Sequence, residues 1–422
     1  MQHQIPLEEI GPWADTVDRA VAGCVHCGFC LPACPTYRVL GEEMDSPRGR
    51  VLLIKEALEA RLDPRAVDRY LDQCLACQGC VTACPSGVGY GGLLTAYQLH
   101  MERRRKRPLA DRVLLRFLLW TVPFPRRFRV VAQLGRMVRP ARPLFSARLR
   151  AMLDLLPRRL PASERLPEVH RAEGQRRARV ALLAGCAQQV LAPQINRATL
   201  RVLARNGVEV VIPRGQVCCG ALAAHAGAFR LARRLARRNL RAFDPQQVDA
   251  VLTNAAGCGS GLREYPLWLC GRPEQDAAKR LAEKAQDVSL FLSRLGLQPP
   301  GPLAHALRAV YHDACHLAHA QQVSAEPRHL LAAVPNLELL EIPDGSLCCG
   351  SAGSYNIQQP AIANQLGQNK AQAILATGAQ AVIAGNIGCM VQIEAHLRRR
   401  GASLPVYHTM EVLDQAYGNG AG

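Results

Sequence analysis

The chain has 422 residues, of which 49% are hydrophobic and 20% are charged, so it can build more than one packed core and is not expected to be disordered. Seventeen cysteines would suit a disulfide scaffold only in a short secreted chain, whereas clustered cysteines in a long chain indicate metal binding. Residues 1–4 lack the basic and apolar segments of a signal peptide, which predicts a reducing, cytoplasmic compartment. The best apolar stretch, residues 113–125, is broken by Arg116 and by prolines, so we expect no membrane-spanning helix.

The first region, residues 1–101, carries eight cysteines in two copies of one spacing, C-x2-C-x2-C-x3-C, each followed by proline. The copies are Cys24, Cys27, Cys30 and Cys34 before Pro35, and Cys74, Cys77, Cys80 and Cys84 before Pro85. Bacterial ferredoxins hold two [4Fe–4S] clusters with this run, and the fourth cysteine of each run ligates the other cluster. We therefore predict one cluster on Cys24, Cys27, Cys30 and Cys84, and a second on Cys74, Cys77, Cys80 and Cys34. A pair of zinc sites is the weaker alternative. Zinc needs four ligands per ion, and the proline after the last cysteine of each run would have no role in a zinc site.

Short helices around turns are predicted beside these two runs. A turn at residues 46–50 leads into an amphipathic stretch at residues 51–61, and a second helical stretch at residues 66–71 precedes the second run. His26 lies between two ligand positions, so we expect it to face solvent or to support a ligand. The region is therefore predicted to be an α-helical, ferredoxin-like domain.

Residues 102–178 form a basic connector. Between residues 102 and 179 there are 22 Lys and Arg against six Asp and Glu, a net charge of +16 within a total of +18. Eight prolines between residues 108 and 167 exclude one long helix, so we predict helices that prolines interrupt. Apolar residues alternate with arginine at helical spacing, which favours docking of residues 103–159 on an anionic lipid surface or an acidic partner. A solvated arginine-rich linker is the alternative, and we expect no nucleic-acid partner.

The remaining chain contains two similar segments, residues 179–300 and 301–422. The first has predicted strands at 180–184, 208–212 and 250–253 with helices at 194–206 and 226–242, and the second has strands at 309–312, 337–342 and 381–384 with a helix at 362–376. The cysteine separations also agree, at 31 and 32 residues before a Cys-Cys-Gly and at 38 and 39 residues after the cysteine pair. Matched spacing of this kind indicates duplication. Alternating strands and helices predict a parallel α/β sheet in each copy.

Each copy supplies four thiols from the predicted carboxyl ends of its strands, where open α/β sheets build their sites. They are Cys186, Cys218, Cys219 and Cys258 in the first copy, and Cys315, Cys348, Cys349 and Cys389 in the second. Because a disulfide between adjacent cysteines closes a strained ring, ligation of one metal centre is the favoured interpretation. Burial as small hydrophobic residues is the alternative, and Cys270, which has no counterpart, is interpreted as structural.

Four histidines lie near these cysteines in sequence: His225, His312, His316 and His319. We expect them to pack and to form hydrogen bonds rather than to catalyse. The chain has no G-x-G-x-x-G after a strand, no Walker loop and no G-x-S-x-G elbow, so no flavin, nucleotide or hydrolase site of its own is predicted.

The duplicated pattern resembles the CCG domain of heterodisulfide reductase-like and respiratory dehydrogenase subunits. Together with the ferredoxin runs, the segments CVHCGFC at 24–30, DSPRGR at 45–50, CCGSAG at 348–353 and NIGC at 386–389 make the chain resemble the iron–sulfur subunits of glycolate oxidase, also called glycolate dehydrogenase. The resemblance runs from about residue 15 to the end. This chain departs from the heterodisulfide reductase relatives at one position. Those relatives close the pattern with C-x-x-C, whereas this chain has Gly261 and Gln392 where the last cysteine would stand, three residues after Cys258 and Cys389.

The resemblance implies an electron-transfer subunit of an oxidoreductase complex. FAD-binding partner subunits would oxidise glycolate to glyoxylate, and this chain would pass electrons to a membrane quinone or respiratory acceptor. A peripheral position on the inner face of the cytoplasmic membrane is implied as well. Whether the CCG copies bind further iron–sulfur clusters or act as thiol sites stays open at this point. The alternatives are a thiol–disulfide reductase, or the iron–sulfur subunit of an anaerobic glycerol-3-phosphate or lactate dehydrogenase.

Overall fold

The structure is a computed structural model that describes residues 1–102, 104 and 107–418. Residues 103, 105, 106 and 419–422 lie outside the described residues. The first three belong to the predicted docking stretch 103–159, and the last four belong to the predicted second copy. Within the described part of the chain, no helix is both long and apolar enough to cross a membrane.

The N-terminal region is helical. Its helices are α1 (Leu7–Ile10), α2 (Ala14–Ala22), α3 (Pro35–Leu40), α4 (Pro47–Leu58), α5 (Pro64–Asp72), α6 (Gly79–Thr82) and α7 (Tyr90–His100). Helix α4 begins four residues before the predicted stretch, because Ser46 caps it by accepting a hydrogen bond from Gly49 N at 3.0 Å and Pro47 occupies the first turn. The cysteine runs occupy the loops between these helices, apart from Cys80, which lies in α6. The apolar faces of α2, α4, α5 and α7 form the core of the region.

The connector consists of α8 (Leu109–Thr121), α9 (Pro125–Val138) and α10 (Ala147–Asp154), with a 3-10 helix over Arg139–Leu144. The prolines lie at helix starts or in the linking turns, as their missing N–H and fixed φ require, apart from Pro143, which lies inside the 3-10 helix. Several arginines of the connector bind backbone carbonyls of neighbouring segments, such as Arg129 to Pro161 O at 2.6 Å and Arg136 to Arg158 O at 2.7 Å. The connector is therefore folded against itself and is not a free linker.

The first α/β unit has five strands in the order β1-β3-β2-β4-β5. The strands are β1 (Val169–His170), β2 (Ala178–Leu183), β3 (Val208–Val211), β4 (Ala250–Thr253) and β5 (Ala285–Asp287). The helices are α11 (Gln188–Leu191), α12 (Gln194–Arg205), α13 (Ala221–His225), α14 (Phe229–Ala242), α15 (Ala256–Arg263), α16 (Tyr265–Trp268), α17 (Gln275–Lys284) and α18 (Val288–Leu295). All strand pairs are parallel except the edge pair of β1 with β3.

The second α/β unit has four parallel strands in the order β7-β6-β8-β9. The strands are β6 (Leu307–His312), β7 (Leu337–Leu340), β8 (Ala381–Ala384) and β9 (Val406–His408). The helices are α19 (Cys315–Ala318), α20 (Ala325–Ala332), α21 (Tyr355–Gln358), α22 (Pro360–Ala376), α23 (Ile387–Arg399) and α24 (Thr409–Ala416). Its order matches β3-β2-β4-β5 of the first unit strand for strand, as duplication predicts.

The two units pack directly against each other. Helix α24 of the second unit lies on α12 of the first, α20 lies on α18, and α15 contacts α19. A buried carboxylate, Asp414, pairs with Arg201 across this interface. The N-terminal region contacts both units, because Trp13 Nε1 donates to Leu267 O at 3.1 Å and Tyr355 Oη donates to Gln73 O at 2.8 Å. The carboxyl edges of both sheets thereby face the ferredoxin-like region.

Candidate metal centres

The two ferredoxin-type runs share one backbone conformation. In the first run His26 and Gly28 have φ of 56° and 87°, and in the second Ala76 and Gln78 have φ of 51° and 61°. These residues flank the second cysteine of each run, and such left-handed steps coil the chain so that successive side chains converge on one point. Non-glycine residues enter this region at a cost, so their recurrence in both loops indicates a conformation imposed by function.

The thiols of the two runs are interleaved in space. One cavity is lined by Cys24, Cys27, Cys30 and Cys84, and also by Cys80 of the second run. Cys34 belongs to the first run in sequence, yet it is not among the residues that line this cavity. It perturbs the thiols of Cys77 and Cys80 in the second run as well as that of Cys30 in the first. This arrangement agrees with an exchange of the fourth ligand between the two runs.

Cys34 lies in a buried polar pocket that its neighbours fill. Its Sγ is 3.2 Å from Thr36 Oγ1 and 3.9 Å from an amino group of Arg50. Arg50, which is 1% exposed, also donates to Thr36 Oγ1 at 2.9 Å, to Tyr70 O at 2.9 Å and to Asp45 Oδ1 at 3.1 Å. A buried guanidinium beside a thiolate ligand stabilises negative charge there.

The thiols fit a cationic metal group and not disulfides. All 17 cysteines are free. Burial raises the pKa of Cys77 and Cys80 well above the usual thiol value, so these thiols would stay protonated unless a metal displaced their protons. Backbone groups turn toward the sulfurs, with Ala76 N donating to Cys74 Sγ at 3.4 Å and Val88 N to Cys84 Sγ at 3.5 Å. Such N–H groups tune the potential of an iron–sulfur cluster.

In each α/β unit the four predicted thiols form one contiguous group. In the first unit Cys186 and Cys219 lie close enough to perturb the pKa of Cys218, and Cys218 and Cys258 lie close enough to perturb the pKa of Cys219. The same chain of contacts links Cys315, Cys348, Cys349 and Cys389 in the second, with Cys315 Sγ 4.0 Å from Cys348 Sγ. Three separate segments of sequence thus converge at the carboxyl edge of each sheet, which is where parallel sheets place sites.

The glycine after each cysteine pair has a structural cause. Gly220 and Gly350 have φ of 89° and 85°, and a Cβ at Gly350 would lie 2.7 Å from Ala363 O. In both units the glycine N–H turns back onto the first cysteine of the pair, at 3.5 Å from Cys218 Sγ and at 3.4 Å from Cys348 Sγ. The Cys-Cys-Gly turn therefore directs two adjacent side chains and one N–H toward the same site.

A histidine lies within ligand distance of two thiols of the second unit. The ligand atoms of His312, Cys349 and Cys389 lie within 4.8 Å of one another, and all three residues are buried. Burial lowers the pKa of His312 to about 3, so its ring is neutral, and its Nδ1 has no hydrogen-bond partner among the described residues. An unpartnered, neutral imidazole beside two thiols suits a metal ligand. The corresponding strand end of the first unit is Leu183.

The second ferredoxin run lies against the thiols of the second unit. Leu75, Cys315, Cys348 and Tyr355 share one apolar cluster, with Cys77 packed at its edge. His319 bridges the two parts, because its Nδ1 is 2.8 Å from Thr82 Oγ1 and its Nε2 is 3.3 Å from Ser346 O. The rings of His225 and His316, whose centroids are 5.1 Å apart, connect the surroundings of the two thiol groups.

The cysteine spacing predicts every thiol of these groups, and the histidines near them in sequence were predicted to pack beside the thiols, but Arg50 was not predicted to lie near a cysteine. The proximity of His312 to the thiols had one available signal, its position three residues before Cys315. Nothing local indicated that Arg50 reaches Cys34, or that His225 and His316 meet across two units. Cys270 lies apart from the thiol groups, where its Sγ contacts Pro12 O at 3.2 Å.

Comparison with known families agrees with this architecture. The 4Fe-4S dicluster domain matches residues 20–88, and the cysteine-rich domain named CCG matches residues 180–263 and 309–394. The predicted fold class, a helical ferredoxin-like domain followed by a duplicated α/β CCG domain, is confirmed. A dicluster domain joined to two CCG domains defines a multidomain iron–sulfur protein.

Two curated relatives align over nearly the whole chain. One is the glycolate oxidase iron–sulfur subunit of Escherichia coli, 37% identical over 407 residues and covering 96% of this chain and 95% of the relative. The other is a probable glycolate oxidase iron–sulfur subunit of Bacillus subtilis, 35% identical over 416 residues and covering 94% of each chain. The chain belongs to the family of glycolate oxidase iron–sulfur subunits, as the resemblance of its motifs predicted.

The fold also has a counterpart among solved structures. The crystal structure of a hypothetical protein from Helicobacter pylori aligns with a TM-score of 0.55 at 10% identity, covering 97% of this chain and 73% of the other. At this identity the likeness concerns the fold alone.

Proposed function

We propose that this chain accepts electrons from an FAD-binding subunit that oxidises glycolate to glyoxylate, and passes them toward a membrane quinone. The Escherichia coli relative, which is 37% identical to this chain, is named a glycolate oxidase iron–sulfur subunit. The observation that carries the proposal is the continuous placement of thiols, from the two ferredoxin runs through Cys77 to Cys315 and Cys348. Such a placement serves electron transfer and leaves the chemistry on the hydroxy acid to a partner.

The proposal assigns the two [4Fe–4S] clusters to crossed sets of cysteines. One set is Cys24, Cys27, Cys30 and Cys84, and the other is Cys74, Cys77, Cys80 and Cys34. When bound, these clusters supply one-electron carriers. The chain's own contribution is to exclude water, to orient backbone N–H groups toward the sulfurs and to place Arg50 beside the second set.

The proposal also gives each CCG unit a metal centre of its own. Its support is the mutual contact of four buried or half-buried thiols in each unit, together with His312 in the second. The domain bounds 1–101, 102–178, 179–300 and 301–422 are retained as part of the same proposal.

Purification of the native complex through a tag on this chain tests the proposed function. We expect an FAD-containing protein to copurify and the complex to reduce a soluble dye when glycolate is added. The isolated chain should show no such activity. If the isolated chain instead reduced a disulfide substrate from a chemical donor without any flavoprotein, the thiol–disulfide reductase interpretation would replace this one.

Iron and sulfide analysis with EPR of the reduced protein tests the CCG centres. We expect the wild type to contain more iron than the roughly eight atoms that two [4Fe–4S] clusters account for. Cys218→Ser and Cys348→Ser should each lower the excess, whereas Cys270→Ser should leave it unchanged. An iron content of about eight atoms in all four proteins would mean that the CCG units hold no iron.

The connector supports a peripheral position on a membrane. Its helices α8 and α9 carry exposed apolar residues at helical spacing together with arginines. On α8 these are Leu109, Val113, Phe117 and Trp120, accompanied by the exposed Arg112 and Arg116. A helix face that mixes aromatic, aliphatic and arginine side chains suits the interface of an anionic bilayer.

Sedimentation with anionic liposomes tests this docking. We expect binding that falls as salt rises, because the attraction between arginine and lipid phosphate is screened. The double variant Arg112→Glu with Arg116→Glu should weaken binding at least about tenfold, since each basic residue near the surface contributes about 1 kcal/mol and reversal doubles the change. The matched control Lys279→Glu with Arg280→Glu changes the same charge on α17 and should bind normally. Binding that ignores both salt and the α8 variant would contradict membrane docking through this face.

A further inference from the structure

A cavity of about 440 Å³ lies between the connector and the second CCG unit. Helices α8, α9 and α10 form three of its walls, and segments next to the cysteines of the second unit form its floor. Side chains such as Phe117, Val131, Met152 and Val391 make its lining almost wholly apolar. Its volume falls within the roughly 300–1,000 Å³ of small-molecule sites.

The floor of the cavity lies next to the thiols of the second unit. Ser351 and Gly353 lie two and four residues after Cys349, and Gly388 immediately precedes Cys389. A Cβ at Gly388 would lie 3.0 Å from Ser351 Oγ, so the two segments that carry these cysteines meet at the floor.

Two buried polar side chains lie at this floor. Ser351 is 5% exposed and Asn356 is 7% exposed. Asn356 donates through Nδ2 to Gln392 Oε1 at 3.0 Å, but its Oδ1 has no hydrogen-bond partner among the described residues. A buried acceptor without a partner costs stability unless something binds it, and Asn356 is one of the few polar residues that line this cavity.

The mouth of the cavity is continuous with the exposed apolar face of the connector. Phe117, Leu134 and Val138 line the cavity and are 39%, 56% and 45% exposed. This is the face on which arginines and apolar residues of α8 and α9 are arranged for contact with lipid. A ligand that enters here comes from a hydrophobic phase.

We propose that this cavity binds a lipophilic quinone, with its ring at the floor beside Ser351 and Asn356 and its tail along α9 toward the mouth. A quinone matches each wall, because its ring and tail are apolar, its carbonyls accept from a hydroxyl, and its reduced hydroxyls donate to Asn356 Oδ1. A lipid acyl chain matches the walls but leaves the polar floor unpaired.

The inference rests on the proposed function for its supply of electrons. Oxidation of one glycolate to glyoxylate at the partner releases two electrons and two protons. Reduction of the quinone consumes the same two electrons and two protons and converts both ring carbonyls to hydroxyls. The balance is closed without a further oxidant or reductant.

Equilibrium binding of a decyl-substituted benzoquinone to the purified, iron-loaded chain in lipid-free buffer tests the site. Val131→Trp fills the cavity from α9 and should weaken binding at least about tenfold, because steric filling of an apolar pocket has effects of this size. Val391→Phe narrows it from the opposite wall and should act in the same direction. Gln133→Trp, an exposed position on α9 that does not line the cavity, is the matched control and should bind as the wild type does.

Iron content shows whether each variant is folded. If Val131→Trp loses iron, quinone binding by Val391→Phe tests the site instead. Unchanged quinone binding in an iron-loaded cavity variant would overturn the site, as would displacement of the quinone by decanol at equal concentration, which would identify a lipid groove. Glycolate-dependent dye reduction by the complex separates the two proposals. If dye reduction persists while the cavity variants bind quinone normally, the cavity is wrong and the electron-transfer function stands; if the wild-type complex reduces no dye, the proposed function fails.

Discussion

Cys34→Ala is expected to remove the cluster of the second ferredoxin run, although Cys34 belongs to the first run in sequence. Iron bound to the chain should fall by about four atoms, the content of one [4Fe–4S] cluster. The physical reason is the position of Cys34 near Cys77 and Cys80, while Cys84 lines the cavity of the first run. Iron analysis of the purified protein provides the measurement.

Pairs of substitutions make this expectation sharper. Cys34→Ala combined with Cys77→Ala should lose no more iron than either change alone, because both remove ligands of one cluster. Cys34→Ala combined with Cys27→Ala should lose about eight atoms, because the two changes destroy different clusters. The opposite result would show that each run holds its own cluster. In that case Cys34→Ala with Cys27→Ala would lose no more iron than either change alone, and Cys34→Ala with Cys77→Ala would lose about eight atoms. Cys270→Ala is the control and should keep its iron.

Arg50→Leu is expected to destabilise the N-terminal domain strongly. Arg50 is 1% exposed and pairs with Asp45, which is 4% exposed. Removing one partner of a buried pair leaves an uncompensated charge and typically costs about 3–5 kcal/mol. The temperature at which the visible absorption of the clusters bleaches should therefore fall by at least about 10 °C, since about 1 kcal/mol moves the midpoint of a domain of this size by roughly 4–8 °C.

The loss should also depend on pH. Burial raises the pKa of Asp45 above its usual value, and Arg50 opposes that rise. Without the arginine the folded carboxyl holds its proton more tightly than the unfolded one, so stability decreases as the pH rises above the ordinary carboxyl pKa. We expect the deficit of Arg50→Leu to be larger at neutral than at mildly acidic pH. Arg65→Leu, at an exposed position on α5, should bleach as the wild type does; equal behaviour of both variants would contradict a stabilising role for the buried pair.

Much of the fold was predictable because its signals are local. The strands β2, β4, β6 and β8 are short apolar runs, and the structure places each within two residues of its predicted start. The cysteine spacing predicted the duplication, and the strand order of both sheets agrees with it. The strands β5 and β9 were not predicted, because their three residues each are too short to show a period, and the antiparallel edge strand β1 has only two.

The candidate sites were predictable to the extent that ligand spacing is written in one segment. Each run of C-x2-C-x2-C sets three thiols on one loop, and each Cys-Cys-Gly sets two thiols on one turn. The contact between Cys77 and the cluster of Cys315 and Cys348 joins residues more than 200 positions apart in the sequence. No local pattern encodes such a contact, because it depends on how three separately folded regions dock.

The sequence by itself determined the candidate metal ligands of this protein: sixteen cysteines in two ferredoxin runs and two CCG units. The spacing of these cysteines suffices to identify them as candidate ligands, because metal ligation needs side chains of one type at short, fixed separations. Only the tertiary structure decided how these groups are connected and what lies beside them. It brought Arg50 to Cys34, His312 to Cys349 and Cys389, and the connector over the second unit to enclose an apolar cavity. Burial, charge pairing and enclosed volume arise from packing between distant segments, and packing is a property of the folded chain alone.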